Sequence, residues 1–463
     1  MTTELAARAL MGMSLGFHIV YAALGIGIPL LLLLAEGISL KTGDEDYHRM
    51  ARGWARTSAV LFAIGAVSGT ALSFELGFLF PYFMDAAGPM IGLPFTMEGF
   101  AFFLEAIFLG LYLYGEKRLS RRALFLATIP IAVGSAASAV FVISVNAWMN
   151  SPEGFATLTA GSLADGIASV NPLDAMTTSA WPHMAVHGTI ASYVAAGLAV
   201  AGFYAWSLLR NRSPLRDGNR PYDRKAMTLS LGVATAVIPL MAVSGHLSAQ
   251  SLADDQPRKL AAMEAHFETR EGAPLILGGI PNPDTGEVAL GIPIPRGLSL
   301  LAHNDPNAAV TGLEDFPRDT WPNTLVVHWS FDAMVLMWLA MMGAAAWFWI
   351  DRIRRRESSP DRRLLKAIVG VSPLGMLAIE AGWFVTEFGR QPFIVREYMR
   401  VSEAVTPREG IWLVLLVFFA VYSALTVMLI WLLLRATISP APAAADTSEP
   451  AGPKTQSQEG DRS

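Results

Sequence analysis

Cysteine is absent from the 463 residues of this chain. That excludes disulfides, thiolate-ligated or covalently attached haem, and cysteine-bound iron–sulfur clusters. Any redox centre has to be held by His, Met, Glu or Tyr. Charge is sparse as well: Asp, Glu, Lys and Arg make up 16% of residues, against 53% apolar. The net charge of −5 leaves no basic excess, and no nucleic-acid partner is expected.

Long apolar runs dominate instead. A bilayer-spanning helix needs roughly 20 mostly apolar residues. Nine runs qualify, centred near Ala22, Ala66, Phe103, Val133, Ala195, Val237, Met337, Met376 and Val417. The first follows Glu4 and Arg8 and continues through a leucine stretch without a small-residue cleavage site, so it reads as a retained span. The expected fold class is all-α, a polytopic membrane protein with about nine transmembrane helices. A soluble domain is excluded.

Lys and Arg gather in alternate connections. Lys41, Arg49, Arg52 and Arg56 follow the first run, and Lys117, Arg118, Arg121 and Arg122 follow the third. Residues 210–225 and 352–366 repeat the pattern, whereas 81–93 and 150–179 contain neither Lys nor Arg. By the positive-inside rule the N-terminus faces outside and the C-terminus is cytoplasmic. Residues 1–438 form the transmembrane domain, and the tail 439–463, rich in Ala, Pro, Ser and acidic residues, reads as disordered. The outer connection 250–321 is long enough to be either functional or disordered. Its opening, QPRKLAAMEAHFETREGAPL, reads as an amphipathic helix, and the Pro/Gly-rich remainder to Pro295 does not. The bland alternative to a functional loop is a solvated helical lid with charges serving solubility.

GWFVTEFGRQPF, from Gly382 to Phe393, is the most specific stretch. It sets Glu387 and Arg390 at the end of an apolar run, where an ionised group costs roughly 2.5–3.5 kcal/mol unless a partner or a function retains it. The run resembles the GWxxxE-GRQPW signature of subunit I of the cytochrome bd-type quinol oxidases, with Phe393 where that family usually has Trp. The resemblance implies that Glu387 is an axial ligand of a high-spin haem b, with Arg390 beside it. It extends from the first run to the ninth.

His18, in SLGFHIVYAALG, is on pattern alone more readily a bonded core histidine than a ligand. Gly12, Ser14 and Gly16 are small enough to let a macrocycle approach. The resemblance makes His18 the ligand of haem d or of a third haem b. His187 follows Trp181-Pro182, a natural helix start, and opens the low-bulk HGTIASYVAAGL. Met334 lies in HWSFDAMVLMWLA, and pattern alone does not choose it over Met337 or Met341. The resemblance pairs His187 and Met334 as axial ligands of a low-spin haem b. Asp332 stands where the family often has a basic or amide residue. His48, His183, His246, His266 and His303 read as solvated or hydrogen-bonded histidines, and His328 as structural. Given the orientation, His18, His187, Met334 and Glu387 share a depth near the outer face.

Glu98 and Glu105 lie seven residues apart on one helical face. Two carboxylates so placed suggest a proton path or a pair of protonated structural carboxyls. The resemblance implies proton delivery. Glu75 and Glu380 are weaker candidates, and Asn146 with Ser135 and Ser138 would extend a polar path. In the family the long outer connection binds quinol, and Lys259 and Glu264 match positions implicated in its oxidation.

The implied reading is the haem-bearing subunit of a terminal quinol oxidase in the bacterial plasma (inner) membrane. Quinol and dioxygen would be its substrates, lipid its surroundings, and subunit II, with a small single-span subunit, its partners. The rival is an ion-coupled transporter or channel with helices broken at Pro94, Pro130, Pro239 and Pro373, where Glu98 and Glu105 bind the ion.

Overall fold

The computed structural model describes residues 2–159, 161–210, 220–355 and 360–438. The tail from residue 439, and with it the reading of disorder there, lies outside them, as does the connection 211–219. The chain opens with four long helices, α1 (Thr3–Thr42), α2 (Glu45–Leu79), α3 (Pro81–Gly115) and α4 (Arg121–Asn150). A short α5 (Pro172–Met176) precedes α6 (Trp181–Arg210) and α7 (Arg220–Asp255). The long outer connection holds α8 (Pro257–Met263) and α9 (Gly297–His303). Then come α10 (Thr324–Arg355), α11 (Arg362–Val371), α12 (Leu374–Phe388), α13 (Val401–Ala404) and α14 (Ile411–Ile438).

Local chemistry sets the turns between spans. Gly43 closes α1 in the left-handed region at φ 73°, where a side chain would be strained. Asp44 then accepts from the Asp46 amide to start α2. Pro81 occupies the first turn of α3, and Ser120 caps α4.

Among the described residues, nine segments are long and apolar enough to cross a membrane. They coincide with the nine runs in the sequence, α11 and α12 together forming the eighth. Pro94, Pro130 and Pro239 lie inside continuous helices. Only Pro373 marks a break, between α11 and α12. The broken-helix premise of the transporter reading therefore fails at three of its four positions.

One large core joins α1, α2, α4, α6 and α7 around Leu31, Leu32, Trp54, Tyr204 and Met227. A second joins the start of α1, the end of α2 and the start of α3 to Ile394, Val395 and Val401. Backbone bonds stitch this end together: Thr406 N to Leu79 O at 2.8 Å, and Arg396 N to Met149 O at 3.0 Å. Large apolar side chains such as Phe100, Phe103 and Ile107 on α3 and Leu413, Leu416 and Phe419 on α14 are exposed. An apolar face of this kind on a spanning helix is suited to lipid or to a partner's helices.

The outer connection differs from its sequence reading. It begins after Asp255 and ends before Thr324, and only Pro257–Met263 of its opening is helical. Ala265 takes φ 48°, which stops the helix. Beyond it, Leu275–Leu277 pairs with Ile292–Ile294, and Ile280–Asn282 with Glu287–Ala289. Leu260, Met263, Phe267, Leu298, Val310 and Leu313 form a small core with Val327 of α10 and Val385 of α12. The segment is folded and docked rather than a solvated lid. A further hairpin, Phe155–Thr159 with Ser162–Val170, lies between α4 and α5. The spans are all helical, and strands occur only in connections.

Candidate functional site

The end of α12 is joined to the end of α4 and to α8 by one line of hydrogen bonds. Lys259 Nζ donates to Asn150 Oδ1. Asn150 Nδ2 donates to Asn146 O at 2.9 Å and faces Asn146 Oδ1 at 3.0 Å. Asn146 Nδ2 donates to Glu387 Oε1, and Arg390 Nη2 donates to Glu387 Oε2 at 2.6 Å. Five side chains from three separate stretches of sequence thus meet at one point. Ser135, on the same helix as Asn146, donates to its own helix at Ala132 O.

Close approach at this point requires glycine. A Cβ on Gly389 would sit 2.8 Å from Lys259 Cγ and 2.5 Å from Val385 O. A Cβ on Gly382 would lie 3.2 Å from Met334 Sδ, so the thioether rests on bare backbone of α12. Phe393, in place of the usual Trp, is buried with the Arg258 and Arg400 guanidinium carbons 5.2 and 5.4 Å from its ring centre. An aromatic face that holds two cations serves there without an indole nitrogen.

The histidines separate by how their ring nitrogens are used. His18 Nδ1 lies 2.9 Å from Ser68 Oγ, which itself donates to Ile64 O at 2.9 Å. With its hydroxyl proton on the carbonyl, the serine accepts from Nδ1–H, the tautomer in which Nε2 keeps its lone pair. His187 repeats the arrangement: Nδ1 is 2.9 Å from Ser244 Oγ, which donates to Met241 O at 3.2 Å. This leaves Nε2 of both rings ready for a metal.

The others are engaged differently. His183 is bonded at both nitrogens, by Ser248 and Ser251. His328 Nδ1 lies 2.9 Å from Met263 O and Nε2 3.0 Å from Gly278 O, which ties the outer connection to α10. His246 Nε2 meets Asn304, and His266 Nε2 meets Val310 O. His48 is buried against Glu36 rather than solvated. Asp332 is occupied locally, accepting from the Gly278 amide at 2.5 Å.

These residues fit a haem. Arg390 is 3% exposed, yet its Nε and Nη1 have no partner among the described residues. A buried cation with two free donors is matched by a carboxylate such as a propionate. Gly12 and Gly25 have nothing within 4 Å of where a Cβ would sit, so the α1 surface is open at these two positions. Ser14 is not part of that open surface, since it is buried and donates to Glu75 Oε1 at 2.8 Å.

Lys259 is 5% exposed and Glu264 1%, so neither serves solubility. Burial, and then the Arg390 guanidinium, holds Lys259 well below the usual lysine range. Burial, and then Asp332, pushes Glu264 up to about 8. Glu264 Oε1 has no partner among the described residues.

The intramembrane carboxylates lie apart from that network. Glu98 is half-buried and Glu105 buried, and a Cβ on Gly134 of α4 would come within 3.0 Å of the Glu105 amide. Glu75 is buried beside Ser14 and Tyr422, and Glu380 Oε2 lies 3.5 Å from where a Cβ on Gly16 would sit. Sequence reasoning missed Ser68, Ser244 and Asn150. Serine inside a spanning helix and asparagine at a helix end are too common to signal a role.

Comparison with known proteins gives one answer. The family description "Cytochrome bd terminal oxidase subunit I" matches residues 6–440. A Bacillus subtilis (strain 168) protein provisionally named cytochrome bd menaquinol oxidase subunit I is 36% identical, over 92% of this chain and 95% of its own. The Escherichia coli (strain K12) cytochrome bd-II ubiquinol oxidase subunit 1 is 27% identical over 84% and 87%. The bd oxidase structure from Geobacillus thermodenitrificans superposes with a TM-score of 0.87 at 40% identity, covering 94% of this chain and 98% of that one. This chain belongs to the cytochrome bd terminal oxidase subunit I family and is a membrane-embedded subunit of a bacterial respiratory oxidase.

Proposed function

We propose that this chain is the haem-bearing, quinol-oxidising subunit of its oxidase, with His18, His187, Met334 and Glu387 as ligands of haem iron. Under this reading His187 and Met334 hold a low-spin haem b, Glu387 a high-spin haem b, and His18 haem d or a third haem b. Bound haem supplies the electron carriers and, where one coordination position is open, the place where dioxygen is reduced. Arg390 would neutralise a propionate while its Nη2 holds Glu387. Ser68 and Ser244 would fix the tautomer and ring orientation of the two imidazoles.

Quinol would be oxidised against α8, at the outer end. Glu264, near neutrality in its titration, suits proton exchange with a quinol hydroxyl. Lys259 connects that place to Glu387 through Asn150 and Asn146. The observation that carries the reading is this line of bonds from the folded outer connection to the carboxylate beside an under-bonded arginine. The N-terminus lies outside, protons for water formation come from the cytoplasm past Glu105 and Glu98, and subunit II completes the complex, with a small single-span subunit as a further partner.

The test is purification of the two-subunit complex, with its visible spectrum and its quinol-driven oxygen uptake. Haem bands with quinol-dependent uptake are expected. A colourless complex, or uptake indifferent to quinol, overturns the proposal.

A further inference from the structure

Four helices meet around a buried carboxylate at the end of the bundle opposite the haem-ligand candidates. Glu36 of α1 is 1% exposed. Its two oxygens lie 3.0 and 2.9 Å from His48 Nδ1 of α2, and the second accepts from Tyr112 Oη of α3 at 3.0 Å. The nearest cation, Arg121 Nη1 of α4, is farther, at 3.9 Å, while its Nη2 bonds Glu45 at 2.5 Å. On the other side of the imidazole, His48 Nε2 is 3.9 Å from Glu116 Oε1. The Glu116 side chain is 31% exposed and paired with Arg52 at 2.8 Å. A line therefore runs from a part-exposed carboxylate, through an imidazole, to an enclosed carboxylate and a phenol.

A clamp between helices would be served by a close carboxylate–guanidinium pair. Here the closest partners of Glu36 are instead two groups that exchange protons. Tyr112 also continues a pattern on α3: Glu98, Glu105 and Tyr112 recur every seven residues, on one face at about 10 Å steps. On α2, about 15 Å along from His48, Ser58 is buried with its hydroxyl unpartnered among the described residues. That is an open hydrogen-bonding position at a depth between Glu105 and Glu98.

We propose that Glu36, His48 and Tyr112 form the intake of a proton path leading to Glu105 and Glu98. This rests on the oxidase reading above, in which water formation consumes one proton for every electron. A proton arriving at His48 Nε2, from Glu116 or bulk water, makes the ring cationic. The Nδ1 proton then passes to Glu36, leaving the neutral Nε2–H tautomer; the carboxyl hands its proton on toward Glu105 to become a carboxylate again, and rotation of the ring restores the starting tautomer. One proton moves and no charge is left behind. Arg52, Arg121, Glu45 and Glu116 are the other charged groups facing this cluster.

The test uses the complete oxidase and reads haem spectrum, oxygen uptake at saturating quinol, and the solvent deuterium isotope effect on that uptake. Glu36→Gln should keep the haem spectrum, lose about tenfold or more in uptake and raise the isotope effect. His48→Ala should lose uptake and recover it when imidazole is added, which a merely structural histidine would not do. Tyr112→Phe should show a smaller loss of the same kind. Uptake and isotope effect unchanged in Glu36→Gln would overturn the proposal. If Glu36→Gln does not assemble, His48→Ala decides, and loss without imidazole rescue overturns it. A wild-type complex without haem or oxygen uptake would instead sink the oxidase reading.

Discussion

Glu264→Gln tests the electrostatics of the outer connection through pH. The wild-type carboxyl is 1% exposed, with one oxygen unpartnered among the described residues, and burial and then Asp332 push it up to about 8. In an unfolded chain a glutamate titrates near ~4.3. Between those values the folded state holds a proton that the unfolded state has released. The contribution is therefore fully present below the unfolded value and is lost as pH rises toward about 8. The slope is about 1.4 kcal/mol per pH unit, so the loss over the window is on the order of 5 kcal/mol. Glutamine keeps the shape and neutral charge without the titration. The variant should gain on the wild type steadily between pH 5 and 8, read as a difference of several degrees in apparent melting temperature at the upper end. Quinol-driven uptake by the wild type should rise over the upper part of that window, as Glu264 becomes able to accept a proton, and stay flat and low in the variant. Melting curves that shift in parallel from pH 5 to 8 would refute the reasoning.

Two further substitutions separate the roles assigned to this site. Met334→Leu keeps the apolar volume over Gly382 and removes the sulfur, so the low-spin haem signal should become high-spin, checked by absorption and electron paramagnetic resonance; an unchanged spectrum rejects ligation. Lys259→Met should cut quinol-driven uptake tenfold or more while leaving oxygen reduction by an artificial donor within about twofold, and equal loss of both would mean a structural role.

The spans were legible because a bilayer dictates a length, and each of the nine runs became a segment of suitable length. Glu387 and Arg390 were legible because charge amid apolar residues demands a partner, and the structure shows each holding the other. The fold of the outer connection was not. Its short strands, such as Leu275–Leu277, are too brief for alternation to register, and the helix stops because Ala265 adopts a left-handed backbone no local pattern predicts. The line from Lys259 to Glu387 was also hidden, since it joins residues more than a hundred positions apart. Glu36 did carry a signal, as an acid at the end of a leucine run, but His48 read only as a solvated or hydrogen-bonded histidine until the helices were placed.

Pyridine haemochrome analysis, with haem counted per chain in the complex, tests the central claim when the wild type is compared with His18→Ala, His187→Ala and Glu387→Ala. Haem should be present in the wild type, and each variant should lose one haem or its characteristic band. Full haem content with unaltered spectra in all three would contradict the account.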